Sequence, residues 1–365
     1  MMGEMILRNL LHRPIRTAIG VLAIGVEVAL VVLIVGLTSG ILSETAKRVE
    51  GVGADILLQP SSAGRFMVMN NSPMPVKIKD RLGELQFVQS VAPVLLQFNS
   101  SGGVEIVYGI DKSFDELSGG FVFLQGHNLQ KPDDMLLDDL AVQSKHVRVG
   151  QKLTLLNHEW DIVGVVEHGK GSRIFVPLAT LQELSSARDK ATLFYIKCTR
   201  PEHTEDVITE MRAILPNYGI TAIKEYVSMM TSTNVPGLNV FINAMIALAV
   251  CIGLLVIFLT MYTTVVERTR DIGVLKSLGA TSPFIVRAVL LESAALCLGG
   301  IAAGIGLSYA VRAGFLLKFP TLSILITAEW ILRAGSIAMV GAIFGASYPA
   351  WMASKRDAVE ALTFD

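Results

Sequence analysis

The 365-residue chain is 52% hydrophobic and only 17% charged, with a mean hydropathy of +0.53, where an ordinary soluble domain carries about 25% charged residues. That shortage of charge excludes disorder, which needs low hydrophobicity, and points to segments that live in lipid. With 31 basic against 32 acidic residues, no excess of positive charge marks a nucleic-acid surface, and three cysteines are too few for a disulfide framework.

A membrane-crossing helix needs about 20 mostly apolar residues, and four windows supply them: 17–37, 240–262, 288–310 and 330–351. Charge inside them is sparse: Glu27 in the first, Glu292 in the third, Arg333 in the fourth. The first window is longer than the apolar region of a secretory signal, and no A-x-A-like site follows it. It reads as an uncleaved anchor, with Gly40–Glu44 continuing the same helix beyond the bilayer. An isolated charge at the bilayer centre costs about 2.5–3.5 kcal/mol on insertion scales, so Glu27 is expected to be protonated, partnered or turned toward an inner cavity. Gly300 with Gly304, and Gly341 with Gly345, each make a G-x-x-x-G pair, a spacing that lets helix backbones approach closely in lipid.

The insert between the first two windows, residues 38–239, reads as a mixed α/β domain. Residues 54–58 are strand-like, and Ile78, Leu82 and Leu85 recur at helical spacing. Residues 93–98 and 104–109 read as strands around the turn residues 99–103, and 153–156 and 160–166 as a second hairpin. Near the end, 194–198 reads as strand, 205–215 as helix and 220–224 as strand. A strand–helix–strand unit thus occurs early and late, with a β-rich insertion of about residues 119–186 between, and two subdomains are expected. Cys198, the one cysteine of the insert, is expected to be a buried thiol.

Catalytic chemistry finds no support. Gly164–Lys170 opens like a phosphate loop, but Gly171 stands where Ser or Thr would hold Mg²⁺. Residues 173–177 then read as strand where a helix N-terminus would have to receive the phosphates, so a glycine-tipped hairpin is expected. There is no G-x-S-x-G, no H-E-x-x-H and no paired-cysteine motif. The acidic pairs Asp133–Asp134 and Asp138–Asp139 lack the spacing of a chelating loop. The chain is therefore expected to be no enzyme, with no metal and no cofactor of its own.

Lys and Arg in short flanks set orientation. Arg8, Arg13, Arg16, Arg268, Arg270, Lys276, Arg287, Lys355 and Arg356 lie on one side, against Arg312 and Lys318 on the other. Both termini are expected in the cytoplasm and residues 38–239 outside. The link between the second and third windows then faces the cytoplasm. In it Ile272, Leu275 and Leu278 fall three apart and are expected on one face of a short helix, Gly279 suits its end, and Ser282 with Pro283 suits the start of the next. Such an amphipathic helix either lies in the headgroups or fills a groove on a cytoplasmic partner.

The stretch VVERTRDIGVLKSLGATSPFIVRAVLLES resembles the signature of FtsX/MacB-like ABC-transporter permeases. MILRNLLHRPIRTAIGVLAIGV is similar to their N-terminal elbow and first helix, RIFVPLATLQEL to the end of their outer-domain β unit, and YPAWMASKRDAVEAL to their C-terminal tail. The likeness covers nearly the whole chain in order. It implies a MacB-type membrane protein, with four transmembrane α-helices and an α/β extracytoplasmic domain inserted between helices 1 and 2. Residues 1–16 become a cytoplasmic elbow helix, 263–287 a cytoplasmic coupling helix and turn, 311–329 a short outer loop and 352–365 a cytoplasmic tail. The implied location is the bacterial cytoplasmic (inner) membrane.

The implied partners are a cytoplasmic ABC ATPase dimer, a second permease subunit in a homo- or heterodimer, membrane lipid and a membrane-fusion adaptor. ATP and Mg would reside on the ATPase, since this chain has no Walker A motif. Its strokes would pass by mechanotransmission to the outer domain, to export or extract a hydrophobic or amphiphilic substrate. Carried over, Glu267, Arg268, Arg270, Asp271 and Lys276 become polar ATPase contacts, Ile272, Leu275 and Leu278 apolar ones, and Gly273 and Gly279 steric or backbone positions. Glu27, with the apolar outer cluster Phe66, Met67, Met69 and Met74, is the candidate substrate or membrane cavity. A reading from another class shares the architecture: a signal transmitter that moves no substrate and switches on an outer partner such as a cell-wall hydrolase.

Overall fold

The computed structural model describes residues 14–60, 73–99, 105–117, 119–230 and 237–355. Their contacts divide them into two units, one drawn from Met1–Ser39, Gly237–Phe315 and Ile324–Asp365, the other from Gly40–Pro236 and Leu316–Ser323.

The first unit is helical because lipid offers no hydrogen bonds, so every backbone group must be satisfied within its own segment. Four helices are long and apolar enough to cross a membrane: α1 (Pro14–Gly51), α8 (Leu238–Glu267), α10 (Ser282–Lys318) and α11 (Ala328–Lys355). A short α9 (Thr269–Ser277) joins α8 to α10. Ile24, Val28, Val32, Ile257, Met261 and Cys297 lie in the common core, while Leu22, Val26, Leu255, Leu259, Leu298 and Phe344 are exposed, as lipid-facing side chains must be. Tyr262, Tyr348 and Trp351 are also exposed and, with Phe258, form one aromatic string, the kind of belt that sits at a headgroup boundary.

Glycines set the helix contacts. A Cβ on Gly304 would lie 2.6 Å from the Gly25 carbonyl and 2.9 Å from Val28 Cβ, and one on Gly300 would lie 2.5 Å from Ile24. The Gly300/Gly304 pair is thus the face α10 presses on α1. The second glycine pair behaves differently from the first. A Cβ on Gly345 would meet the Leu254 carbonyl of α8 at 2.9 Å, whereas Gly341 has open space beside it.

The second unit is built on a ten-stranded mixed sheet. Its strands are β1 (Ile56–Pro60), β3 (Val88–Asn99), β4 (Glu105–Ile110), β5 (Phe123–Gly126), β6 (Asp134–Asp138), β7 (Lys152–Leu155), β8 (His158–Val166), β9 (Ile174–Pro177), β11 (Leu193–Cys198) and β12 (Tyr218–Ala222). The order is β12-β1-β11-β3-β4-β9-β6-β8-β5, with β7 also on β8. Two pairs are parallel, β4 with β9 and β6 with β8; the others are antiparallel. A separate ribbon joins β2 (Met74–Pro75) to β10 (Lys190–Ala191). The helices are α2 (Ile78–Gly83), α3 (Lys112–Leu117), α4 (Asp139–Lys145), α5 (Leu178–Leu184), α6 (Thr204–Ile214) and α7 (Ile223–Met229). Residues 223 and 224, expected to end a strand, instead open α7.

The two expected subdomains share this sheet, and alternation along its strands shows how. Leu57, Tyr195, Ala92, Val94, Tyr108, Phe175, Leu136 and Val166 point to one continuous core, closed by the rings of Phe114 and Phe121. On the opposite face the core is split. Ile56, Leu58, Phe194 and Ile196 pack with Val207, Ile208 and Met211 of α6, while Val107, Met135, Leu137, Ile162 and Val176 pack with Trp160, Leu178 and Leu181. The division runs through β3, whose Val91 joins the first cluster and Leu95 the second. Cys198 is 1% exposed, and burial raises its thiol pKa.

The glycine-tipped segment is a loop but not the expected hairpin: β8 ends at Val166, Gly169 and Gly171 adopt positive φ, and the chain re-enters the sheet as β9 on the far side of β6, which pairs with both strands. The acidic pairs serve the fold. Asp134 accepts the Gln130 and Lys131 amides at 2.7 Å each, and Asp138 caps α4 through the Ala141 amide at 2.6 Å. Asp133 and Asp139 pair with His158 and His168.

Candidate functional site

The segment joining α8 to α10 folds as the short helix α9 with a turn at each end. Thr269 ties its hydroxyl to the Val265 and Val266 carbonyls, and the Arg268 carbonyl accepts the Ile272 amide to start α9. At the other end Gly279 takes φ +96°, a conformation glycine adopts at little cost. There the Gly279 and Ala280 amides close on the Lys276 and Leu275 carbonyls.

Which side chains this helix offers outward follows from about 100° per residue. Steps of three drift by about 60°, so Ile272 and Leu278 sit about 120° apart and cannot share one face. Ile272 is 9% exposed and packs with Val265, Ile285 and Ala353; Leu278, just past the last turn, is 79% exposed. Leu275 is half-buried between them, and Gly273 is buried. The expected apolar stripe Ile272–Leu275–Leu278 is therefore corrected: only its first member is an inward anchor.

Two of the expected polar contacts are also turned inward. Lys276 donates to the Ser354 carbonyl at 2.7 Å, joined there by the Ser282 hydroxyl at 3.2 Å. Arg268 reaches both oxygens of Glu292 at 3.4 Å, and that pair is largely shielded from solvent. Glu292, the one charge of the third apolar window, is the buried partner of this arginine. Glu267 is exposed and pairs with Arg16 at 2.8 Å, so the start of α1 is fastened to the end of α8. The outward face consists of Arg270, Asp271, Val274, Ser277, Leu278 and Gly279. Val274, 40% exposed, was not among the sequence candidates. The four-residue spacing Arg270–Val274–Leu278 is the signal that marks it once Ile272 is taken as the anchor.

Of the other candidate cluster, Glu27 and Met74 lie among the described residues. The Glu27 carboxylate lies against Gly253 of α8, in the space a Cβ there would fill. Met74 is 2% exposed and belongs to the core beneath β1 and β11, where β2 pairs it with Ala191, so it offers no surface to a substrate. Phe66, Met67 and Met69 lie outside the described residues.

Comparison with known proteins agrees with this architecture. Residues 17–214 match the MacB-like periplasmic core domain, and residues 243–358 the FtsX-like permease C-terminal domain. The chain is 24% identical to the macrolide export ATP-binding/permease protein MacB of Shewanella sp., over 96% of this chain and 58% of that protein. It is 26% identical to the pyoverdine export ATP-binding/permease protein PvdT of Pseudomonas savastanoi pv. phaseolicola, over 95% of this chain and 57% of that one. The periplasmic region of MacB from Actinobacillus actinomycetemcomitans aligns with 50% of this chain and 94% of its own, at a TM-score of 0.40 and 13% identity. The chain spans somewhat under three-fifths of the length of both curated relatives. With a periplasmic-core match over more than half of its length and a permease match over the three later membrane helices, the chain belongs to the FtsX/MacB-like family of ABC-transporter permeases.

Proposed function

We propose that this chain is the part of an ABC exporter that carries the stroke of an ABC ATPase across the membrane. The ATPase seats on the outward face of α9, and the sheet unit does its work on the far side, moving a hydrophobic or amphiphilic substrate. Both termini and α9 face the cytoplasm in this reading, and two permease subunits act as a dimer. ATP and Mg²⁺ are bound by the ATPase.

The observation that carries the reading is the face of α9 itself. Arg270, Asp271, Val274 and Leu278 are exposed on a helix whose opposite face is pinned by Ile272, Lys276 and Arg268. A merely interfacial helix would turn its apolar residues one way, whereas here charged and apolar residues share the outward face, the mixed character of a surface that meets another protein. Being pinned, the helix can pass a push to α8 and α10 without first bending. The basic flanks favour the cytoplasm for this side.

The test is the double variant Val274→Asp, Leu278→Asp in the complex with its cognate ATPase. Substrate-stimulated ATP hydrolysis is expected to fall by about tenfold or more, as when central anchors of an interface are removed. The thermal midpoint of the isolated permease should stay put. Full coupling in the double variant would contradict the docking assignment. Stimulated hydrolysis without substrate movement in vesicles would favour a transmitter over an exporter.

A further inference from the structure

A second feature of the sheet unit has no place in the docking reading. The unit contains a cavity of about 410 Å³, within the ordinary range of small-molecule sites. Its walls come from α1, α4, β4, β9 and residues 321–323. They mix apolar side chains, Ile41, Ile106, Ile174 and Leu322, with five ionisable ones, Glu44, Arg48, Glu105, Lys145 and Arg173.

Four of those five are already paired. Lys145 holds Glu105 at 2.6 Å. Arg173 binds Glu44 at 3.1 Å and the buried Asp138 at 2.9 Å, and also donates to the Thr321 carbonyl at 3.3 Å. Arg48 is the remaining cation. Its Nε is shut off from solvent and finds no hydrogen-bond acceptor among the described residues. No described carboxylate forms an ion pair with its guanidinium. The Glu44 carboxylate, one turn back on α1, and Asp138 attract Arg48 through space, but their close ion pairs are with Arg173. A buried donor left without an acceptor costs about 1–3 kcal/mol, more when it is charged, so the fold bears a penalty that an anion in the cavity would remove.

We infer that this cavity binds a small amphipathic anion, with a phosphate or carboxylate on Arg48 and an apolar body against Ile106, Ile174 and Leu322. Arginine suits such a group because its planar fork meets two oxygens at once. The same headgroup chemistry belongs to a free small molecule and to an anionic lipid. The inference does not depend on an ATPase docking at α9, and either can fail alone.

The experiment uses the full chain in nanodiscs and titrates hexyl phosphate by calorimetry, with empty discs as blank. In phosphatidylcholine discs the protein is expected to bind hexyl phosphate at one saturable site, and inorganic phosphate more weakly. Arg48→Gln should weaken binding by about tenfold or more, the scale of losing a charge-assisted hydrogen bond, and Arg48→Lys by less. Lys152→Gln, which removes an exposed charge elsewhere, should bind as wild type. Ser144→Glu leaves Arg48 in place and adds a negative charge at an exposed position on the wall, so it should also weaken binding; it serves if Arg48→Gln does not fold. Discs containing phosphatidylglycerol separate the sources: competition assigns the site to a lipid headgroup, and undiminished binding to a free anion. No saturable binding by wild type, or equal binding by Arg48→Gln, would overturn the inference.

Discussion

Gly304 and Gly341 are the same residue type in two similar motifs, yet their neighbours give them opposite prospects. A side chain at 304 would enter the Gly25 carbonyl and Val28, and lipid-embedded helices have no slack there. Gly304→Val should lower stability by about 1–3 kcal/mol, the usual cost of overpacking, while Gly341→Val should change it by less than about 0.5 kcal/mol. Thermal unfolding in detergent reads both, and equal effects would refute the α1–α10 contact. In the sheet unit the buried Tyr226 makes a pH prediction. Burial pushes its phenol from the ordinary value of 10 up to about 12. The unfolded chain therefore loses that proton first, and the stability is whole below pH 10 and declines as pH rises through 12. Tyr226→Phe has no proton to lose, so its thermal midpoint should fall less steeply than wild type between those limits.

At the scale of elements, α9 divides into a face that holds and a face that waits. Ile272→Ala removes a buried anchor and should cost about 2–5 kcal/mol. Leu278→Ala, at 79% exposure, should leave stability within about 0.5 kcal/mol of wild type. If both cost alike, α9 is not seated as described. A helix, an anchor and a stop were all legible here, since Gly279 and Ser282–Pro283 are local signals. Which residues faced inward was not. The acceptor for Lys276 is a backbone carbonyl at Ser354, and the acceptor for Arg268 is Glu292 on α10. Neither is marked by spacing along the chain, because a carbonyl exists at every residue. Met74 was misjudged for a related reason: a methionine among turn residues looks available until β10 pairs with it.

Over the whole molecule, what is local was legible and what is long-range was not. An apolar run of about 20 residues announces itself within its own window, and all four windows lie inside helices of the structure. Strands 93–98 and 104–109 could be paired because only a short run of turn-type residues separates them in the sequence, and β3 does pair with β4. The parallel register of Val107 with Ile174 could not, since nothing near either residue names the other. That pairing fuses the two expected subdomains into one sheet, with the separation surviving only on the face where β3 sends Val91 one way and Leu95 the other.

The proposed function requires that the sheet unit and α9 lie on opposite sides of a membrane. Arg188 and Ser277 are exposed, one in each region, and each can be replaced by cysteine after the exposed Cys251 is changed to Ala. A membrane-impermeant maleimide applied to intact spheroplasts should label Arg188→Cys at once and Ser277→Cys only after lysis. Labelling of Ser277→Cys in intact spheroplasts, with Arg188→Cys protected until lysis, would contradict the account.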